Sequence, residues 1–344
     1  MPQPLFPART RLGILFTGAF LALAGATTAD GITVTPETYI RAETDTAFAE
    51  FQKRSNGQIN AFAFIRSPTT LDNQPVIRMN KDTLYASAVV DTAGGATITV
   101  LEAPDGRYLS VLVIDNDHYA PAVFYDPGTY DLPDDTRYVI LLIRVQLLDD
   151  ADPADVATAN ALQDQFVVEA TSAEPFVSPD WDIDSMLALR ASYEPEFQSF
   201  AQFEPDWMGP RSTVNEETRH LAAAGAWGLF PEKDAVYINY VGPSDPTVCY
   251  SATYVAPETE AFWSITVYGA DGFMKSDTNI INNRNATFND DGTFTAFFGS
   301  EAACGDQANR SDISEGWNFL MRIYRPGEDV LSREYTLPQV AIVR

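Results

Sequence analysis

One polar cluster in the sequence has the residue types for acid–base chemistry. Asp115, Asn116, Asp117, His118 and Tyr119 follow directly after the apolar segment LSVLVI. If the extended backbone of that segment continues, Asp115 and Asp117 project to one side, and Asn116 and His118 to the other. His118 could then act as a general base with either aspartate as its partner, because an unperturbed imidazole titrates near pH ~6.5. The alternative is a turn in which the Asp and Asn side chains bond to their own backbone.

A second candidate site precedes the alternating segment TLYASAVV. Asn80, Lys81 and Asp82 offer a hydrogen-bond donor, a cation and an acceptor in consecutive positions. Such a mixture suits a hydroxyl-rich or carboxylate ligand, with Tyr85 close by and Asp82 available as a catalytic carboxylate. The structural alternative is that Asp82 forms an ion pair with Lys81 or with an arginine, while Asn80 shapes the turn.

Arginines interrupt two otherwise hydrophobic segments. Arg144 lies within VILLIRVQ, and Arg322 lies within NFLMRIYR. A guanidinium in such a segment must be paired or lie at an edge, because an unpaired buried charge costs several kcal/mol. The sequence favours pairing with a carboxylate, and anion binding is the alternative that makes Arg144 a candidate binding residue.

Composition excludes several classes of function. The 344 residues include 48 acidic and 22 basic side chains, for a formal charge of −26. This charge repels phosphate backbones and anionic headgroups, which argues against nucleic acid and acidic membranes as partners. Two histidines and two cysteines are too few for zinc ribbons or histidine-rich metal sites. The sequence also contains no nucleophile elbow, phosphate loop or dinucleotide fingerprint, so we expect neither a metal nor a cofactor.

The N-terminus has the layout of a secretory signal peptide. Arg9 and Arg11 precede the apolar segment LGILFTGAFLALA, and small residues follow it. We predict that residues 1–29 are this peptide and that cleavage occurs near Ala26 or Ala29. The alternative is a membrane anchor, which would need about 20 apolar residues. The mature protein is therefore expected in the periplasm or outside the cell, with no membrane attachment after cleavage.

Export changes the interpretation of the two cysteines, Cys249 and Cys304. In an oxidising compartment, a disulfide closing the long loop between them would stabilise the fold by about 4 kcal/mol on the chain-entropy model. The alternative is two buried thiols that act as small apolar residues. The sequence does not supply the distance between their Cα atoms and leaves both interpretations open.

The candidate residues must be positioned by strands and helices. Alternating apolar segments separated by turn residues fill positions 58–146 and return from Ala235, which indicates antiparallel strands. We predict a mainly β fold with two antiparallel β-sandwich domains, residues 30–150 and 232–344. A helical segment at residues 151–231 joins the two domains.

Capping patterns predict the helix boundaries. A first helix begins near Thr35, which is followed by a proline and a glutamate, and its end is marked by Asn56-Gly57. Asp152 precedes a proline at the start of a second helix. Thr213 and Glu216 have the spacing of a capping box ahead of a later helix.

Several motifs occur in order along the chain: NKDTLY from Asn80, GRY from Gly106, YVILLIR from Tyr138, DPAD from Asp152, LQDQ from Leu162, AFWSITVY from Ala261, DG at Asp291 and GWN from Gly316. The motifs up to LQDQ resemble the bacterial family catalogued as domain of unknown function 1254. Those from AFWSITVY onward resemble its usual companion, domain of unknown function 1214. The resemblance implies an immunoglobulin-like first domain, a helical middle, a jelly-roll-like second domain and a homo-oligomer. It implies no established activity.

Two functions from different classes are compatible with the sequence. The first is a binding or assembly module that recognises a neutral, hydroxyl-rich ligand such as a glycan in a polar cleft between the domains. The second is a hydrolase or lyase that uses Asp82, Asp115 or Asp117 as a carboxylate and His118 as a base. The first is favoured because the sequence contains no activated nucleophile or metal cage.

Overall fold

The computed structural model of the chain describes residues 31–243 and 245–343. The predicted signal peptide, with its cleavage positions near Ala26 or Ala29, lies outside the described residues. In the described ranges, no helix combines the length and the hydrophobicity needed to cross a membrane. The described chain is mainly β, with several antiparallel sheets and six helices, which confirms the predicted fold class at this level.

Runs of consecutive strands, separated by helices, follow one another along the described chain. The helices of the described part are α1 Tyr39–Arg54, α2 Pro153–Gln163, α3 Ile183–Gln198, α4 Arg219–Gly225, α5 Glu301–Cys304 and α6 Glu328–Leu331. The strands of the first half are β1 Ala63–Ile65, β2 Thr83–Asp91, β3 Ala96–Val100, β4 Leu109–Asp115, β5 Ala122–Phe124, β6 Gly128–Asp131, β7 Tyr138–Gln146 and β8 Val167–Ala170. Those of the second half are β9 Ala235–Val241, β10 Tyr250–Val255, β11 Thr259–Tyr268, β12 Ile280–Asn282, β13 Thr293–Phe298, β14 Arg310–Ser311, β15 Asn318–Pro326 and β16 Ala341–Ile342.

Capping residues set the boundaries of two helices. Asn56 and Gly57, which follow the C-cap residue Ser55 of α1, adopt positive φ angles of 58° and 77°, which end the helix. Gly57 donates its N–H to the carbonyl of Gln52 at 2.9 Å. At the start of α2, the Asp152 carboxylate accepts the N–H of Ala154 at 2.9 Å, as an N-cap does.

The predicted capping box at Thr213 and Glu216 is wrong, because α4 begins only at Arg219. The Thr213 hydroxyl donates to the carbonyl of Pro210 at 2.9 Å. The Glu216 carboxylate accepts hydrogen bonds from Tyr119 and Arg219. Both side chains are therefore used by tertiary and turn contacts, and neither caps a helix.

Two antiparallel sheets form from the first half of the chain. One has the strand order β1-β2-β7-β4-β5, and the other has the order β6-β3-β8. Ile98 of β3 belongs to the same buried apolar cluster as Val111 of β4 and Leu141 of β7. Helix α2 contributes Leu162 to that cluster, so it packs on the same core.

Two further sheets form from the second half, with the orders β14-β13-β10-β16 and β12-β11-β15-β9. They share a buried cluster that is rich in aromatic rings. Trp263 of β11 stacks on Phe294 of β13 with ring centroids 4.5 Å apart. A disulfide joins Cys249, directly before β10, to Cys304 at the end of α5.

A third interface joins the two halves and positions the candidate site. Leu112 and Ile114 lie on the face of β4 opposite to Val111, because side chains alternate along a strand. They share a buried cluster with Tyr237 of β9 and Tyr324 of β15. The five-stranded sheet therefore packs against the β12-β11-β15-β9 sheet, and the side chains between these two sheets form the interlayer.

Candidate functional site

A cleft opens at one end of the interlayer, between the start of β2 and the end of β12. Lys81 and Asp82 precede β2 and lie beside the segment that follows β7, because Thr83 pairs with Gln146. The opposite wall comes from β12 and the turn after it. The cleft has a volume of about 190 Å³, and its charged and amide lining includes Lys81, Asp82, Asp149, Asp150, Asn282 and Arg284.

Asp82 is the buried carboxyl of this cleft and is only 4% exposed. Its Oδ1 accepts a hydrogen bond from the Asn282 amide at 2.9 Å. Its Oδ2 is buried without a hydrogen-bond partner among the described residues. Burial raises the pKa of Asp82, although the Ser264 hydroxyl, Asn282 and the charge of Arg322 act in the opposite direction. Asp82 can therefore offer either an acceptor or a protonated donor to a ligand.

The neighbours of Asp82 have different roles. Lys81 lies 3.5 Å from the carboxylate of Asp150 and donates to the carbonyl of Asp277 at 3.2 Å. It does not pair with Asp82, so the structural alternative in which Lys81 and Asp82 form an ion pair is wrong. Asn80 is buried, accepts the backbone N–H of Asp82 at 2.8 Å and donates to the Tyr324 hydroxyl at 3.0 Å. Asn80 therefore shapes the turn before β2 and does not line the cleft, in agreement with the structural alternative for this residue.

Two rows of side chains cross the interlayer, one on each sheet. Tyr85, Arg144 and Ser110 are cross-strand neighbours on β2, β7 and β4. On the other sheet, Asn282, Ser264, Arg322 and Tyr237 are cross-strand neighbours on β12, β11, β15 and β9. Each row places an arginine on a central strand between a serine and a tyrosine, and the second row ends in the cleft at Asn282.

The expected pairing of these arginines with carboxylates is wrong for the described residues. Arg322 is 3% exposed and donates to the Thr266 and Tyr268 hydroxyls and to the carbonyl of Arg78, at distances of 2.7 to 3.1 Å. Arg144 is 9% exposed, and its Nε and Nη1 have no hydrogen-bond partner. The Arg144 guanidinium lies 4.3 Å from the ring centroid of Phe230 and 5.5 Å from that of Tyr85. Aromatic rings, not acids, surround it.

The Asp115 segment forms a turn that closes the end of β4. The Asp115 Oδ1 accepts the backbone N–H groups of Asp117 and Tyr119, both at 2.9 Å. The backbone carbonyl of Asp115 accepts the N–H of His118 at 3.0 Å. This is the self-bonded turn that was the alternative to a catalytic cluster.

Side chains of this turn connect it to the helices. Asp117 pairs with Arg41 at 2.6 Å and with Arg211 at 2.7 Å. The Asn116 amide donates to Asp45 of α1 at 2.9 Å. The guanidinium groups of Arg211 and Arg219 each lie 4.1 Å from the ring centroid of Tyr119. The predicted binding residues Asn116 and Tyr119 are thus occupied by contacts within the protein.

His118 is 1% exposed, and its ring stacks on that of Trp227 with centroids 5.3 Å apart. Its Nε2 accepts the backbone N–H of Gly228 at 3.3 Å, and no carboxylate of the described residues hydrogen-bonds to the ring. Burial, together with the charge of Arg219, lowers the pKa of His118 to about 3. An imidazole that is neutral, enclosed and without an orienting acid is unsuited to general-base catalysis at neutral pH.

The two predicted polar clusters lie at opposite ends of the five-stranded sheet. Thr83, next to Asp82, pairs with Gln146 at one end of β7, and Asp115 pairs with Val139 near the other end. At ~3.3 Å per residue these ends are roughly 23 Å apart. Asp82 and His118 therefore cannot act on one substrate together, and the structure leaves Lys81 and Asp82 as the predicted residues that line a cleft.

Sequence reasoning missed the residues of the second wall. Asn282 and Arg284 lie in the segment INNRN, whose amide-rich composition was the available signal. Ser264 lies inside a hydrophobic strand and gave no signal beyond its position. In the described chain, no group of three or more His, Cys, Asp or Glu side chains is placed to hold a metal ion.

Comparison with family models supports the resemblance seen in the motifs. The model described as a protein of unknown function, DUF1254, matches residues 59–124, and that described as a protein of unknown function, DUF1214, matches residues 242–328. Both matches are present in this one chain. Lys81 and Asp82, on one wall of the cleft, fall in the first match. Asn282 and Arg284, on the opposite wall, fall in the second. No curated protein sequence matches the chain.

Two solved structures share the fold. The VPA0106 protein from Vibrio parahaemolyticus is 18% identical with a TM-score of 0.68, covering 89% of this chain and 97% of that chain. An uncharacterized protein from Burkholderia cenocepacia is 15% identical with a TM-score of 0.54, covering 90% of this chain and 88% of that chain. At these identities the likeness concerns the fold alone.

Proposed function

We propose that the chain is an exported binding protein that recognises a neutral, hydroxyl-rich ligand, such as a glycan, in the cleft beside Asp82. In this proposal the mature protein is periplasmic or secreted, has no nucleic acid or membrane partner, and assembles as a homo-oligomer. Its β-sandwich domains are residues 30–150 and 232–344, linked by the helical segment 151–231. The shared apolar clusters within each pair of sheets support the sandwich arrangement.

The free oxygen of Asp82 is the observation that carries this proposal. A buried polar atom without a partner costs about 1–3 kcal/mol. The Asp82 Oδ2 is such an atom, and it belongs to a residue that lines the cleft. A ligand hydroxyl can both donate to a carboxylate and accept from a carboxylic acid, so it satisfies this oxygen in either protonation state.

The cleft lining suits a neutral ligand. Lys81 and Arg284 supply two positive charges, Asp149 and Asp150 supply two negative ones, Asp82 adds a third negative charge only when it is ionised, and Asn282 adds an amide. This balance attracts neither anions nor cations strongly. The volume of about 190 Å³ is smaller than the ~300–1,000 Å³ of pockets for drug-sized molecules, so the cleft suits a single sugar-sized ring.

Calorimetric titration with a panel of neutral mono- and disaccharides and polyols tests this proposal. We expect at least one member to bind the wild-type protein, and Asp82→Ala to weaken that binding by about 10- to 100-fold, because a buried hydrogen bond to a charged or acidic group is lost. Asp234→Ala is the matched control, since Asp234 is also buried, has a raised pKa and keeps one oxygen without a partner.

Asp234 lies directly before β9, the strand at the opposite edge of the sheet from β12, and does not line the cleft. Its replacement should leave the affinity unchanged. The proposal fails if no compound of the panel binds, or if the two variants lose affinity equally.

A hydrolase or lyase is the second candidate, and the raised pKa of Asp82 favours it. A carboxyl whose pKa is raised stays protonated to a higher pH and can act as a general acid, and the charge of Asp150 also raises the pKa of Asp82. Incubating the bound compounds with the protein and measuring new reducing ends or unsaturated products separates the two functions. Turnover that disappears in Asp82→Ala supports the enzyme, and intact ligand supports the binding module.

A further inference from the structure

The interlayer contains two permanent positive charges and almost no compensating negative charge. Arg144 and Arg322 are both buried, and the titratable groups that most affect the pKa of either guanidinium are tyrosines, including Tyr85 and Tyr324. Burial raises the pKa of the Asp82 carboxyl by more than the charge of Arg322 lowers it, and so favours the neutral form. A buried net positive charge is costly unless an anion accompanies it.

The two arginines differ in their free hydrogen-bond donors. The Nη groups of Arg322 donate to Thr266, Tyr268 and the carbonyl of Arg78. Arg144 makes no such contacts, since its Nε and Nη1 are buried without partners. The available guanidinium donors of the interlayer therefore belong to Arg144.

Unpartnered hydroxyls surround the Arg144 guanidinium. Ser110 is its cross-strand neighbour on β4, and the Ser110 Oγ is buried without a partner. The Tyr108 hydroxyl is also buried without a partner, and Tyr108 is close enough to affect the pKa of Arg144. Several unsatisfied donors concentrated around one cation are what an anion site requires.

We propose that the interlayer binds one small monocarboxylate against Arg144. The carboxylate oxygens accept hydrogen bonds from the guanidinium and from the Ser110 and Tyr108 hydroxyls. The short stem of the ligand packs on the rings of Phe230 and Tyr85, which lie 4.3 and 5.5 Å from the guanidinium carbon. This site is separate from the saccharide cleft, so either proposal can fail without the other.

The donor set explains why a monocarboxylate is the ligand class. One guanidinium with free donors matches one negative charge, and its planar fork matches the geometry of a carboxylate. Phosphate or sulfate carries more charge and more acceptor oxygens than Arg144 and two hydroxyls can satisfy. The aromatic rings beside Arg144 favour a ligand that has an apolar stem, which a halide lacks.

Equilibrium dialysis with radiolabelled acetate tests the site in protein first dialysed exhaustively into carboxylate-free buffer. We expect one acetate bound per wild-type chain. Arg144→Met should bind acetate at least about 10-fold more weakly, because it removes charge-assisted hydrogen bonds while keeping an apolar side chain of similar length. The exposed Arg54, which stacks on Phe51 at 4.8 Å, provides the control Arg54→Met with unchanged acetate binding.

Competition on the wild-type protein gives a second readout that does not depend on a variant folding. Unlabelled propionate should displace the acetate, whereas chloride at the same ionic strength should not. The proposal is overturned if the wild-type chain binds no acetate, if a folded Arg144→Met binds it as tightly as wild type, or if chloride displaces it as well as propionate. Circular dichroism of each variant establishes that it is folded.

Discussion

At the scale of single residues, His118 illustrates how an enclosed site changes the chemistry of a side chain. Its backbone has a positive φ of 63°, which directs the ring inward from the turn after β4. There the imidazole stacks on Trp227 and accepts the N–H of Gly228. A proton on this ring would be buried beside the charge of Arg219, so the folded protein disfavours the imidazolium.

This gives a pH dependence of stability with a defined sign. The pKa of His118 is about 3 in the folded protein, against ~6.5 in an unfolded chain, so the unfolded state binds the proton in between. The free energy of unfolding should therefore fall as the pH falls below ~6.5. Between pH 6.5 and 5 the loss from His118 should be roughly 1.6 kcal/mol, measured by urea unfolding at both values.

His118→Asn isolates this contribution, because asparagine tolerates the left-handed backbone and does not titrate. The variant should be less stable at pH 6.5 and should lose roughly 1.6 kcal/mol less than wild type on going to pH 5. His220→Asn is the control, since His220 is partly exposed and packs edge-on against Tyr193. Equal pH dependence in wild type and His118→Asn would show that His118 is not enclosed as described.

Residue types could be identified from the sequence, but their partners could not. Lys81 and Asp82 stand out in the sequence because polar groups beside a strand are often exposed to ligands, and the structure places both in the lining of a cleft. Asn282, which bonds to Asp82, lies 200 residues further along the chain. Arg144 was expected to find a carboxylate, and only the pairing of distant strands shows that it faces tyrosines.

At the scale of elements, α1 is held by a buried carboxylate as well as by its apolar face, which contributes Tyr39 and Phe48 to buried clusters. Asp45 is 1% exposed and accepts hydrogen bonds from Arg41, from the Asn116 amide and from the Trp181 indole, at distances of 2.9 to 3.0 Å. These contacts connect the helix to the turn after β4 and to the segment before α3. One side chain thus fixes the position of three elements.

Replacing this carboxylate should be costly. Asp45→Ala leaves three donors without their acceptor, so we expect the free energy of unfolding to fall by about 3 kcal/mol in urea denaturation. Asp117→Ala is the matched control, because it removes a carboxylate that pairs with two arginines. The Asp117 side chain is 33% exposed, so its loss should cost about 1 kcal/mol or less. Similar losses for both variants would contradict the role assigned to Asp45.

Strands were easier to predict than the helix start at α4. Alternating segments such as TLYASAVV contain their own periodicity, and the strands form there. The residues of the supposed capping box had the correct spacing for a helix start, but Tyr119, about a hundred positions earlier, takes the Glu216 carboxylate. Local patterns therefore predict elements well where no distant side chain competes for the same groups.

At the scale of the whole molecule, the interlayer depends on which sheets pack together. The mainly β composition followed from the sequence, whereas the contact between the five-stranded sheet and the β12-β11-β15-β9 sheet did not. Apolar residues alternate along a strand with the same period of two, whichever sheet its buried face packs against, so the alternation does not identify the partner sheet. Both candidate sites arise from this packing, since each takes residues from the two halves of the chain.

The Cys249–Cys304 disulfide acts at this scale because it closes a loop of 55 residues that contains β10 to β13. Replacing both cysteines by alanine should lower the free energy of unfolding by about 4 kcal/mol, because the unfolded chain gains the entropy of the opened loop. Urea unfolding measures this loss, and reductant should destabilise the wild-type protein but leave the double variant unchanged. Two freely titrating thiols in the purified wild-type protein would contradict the disulfide. The protein would then lack the disulfide that is consistent with export to an oxidising compartment.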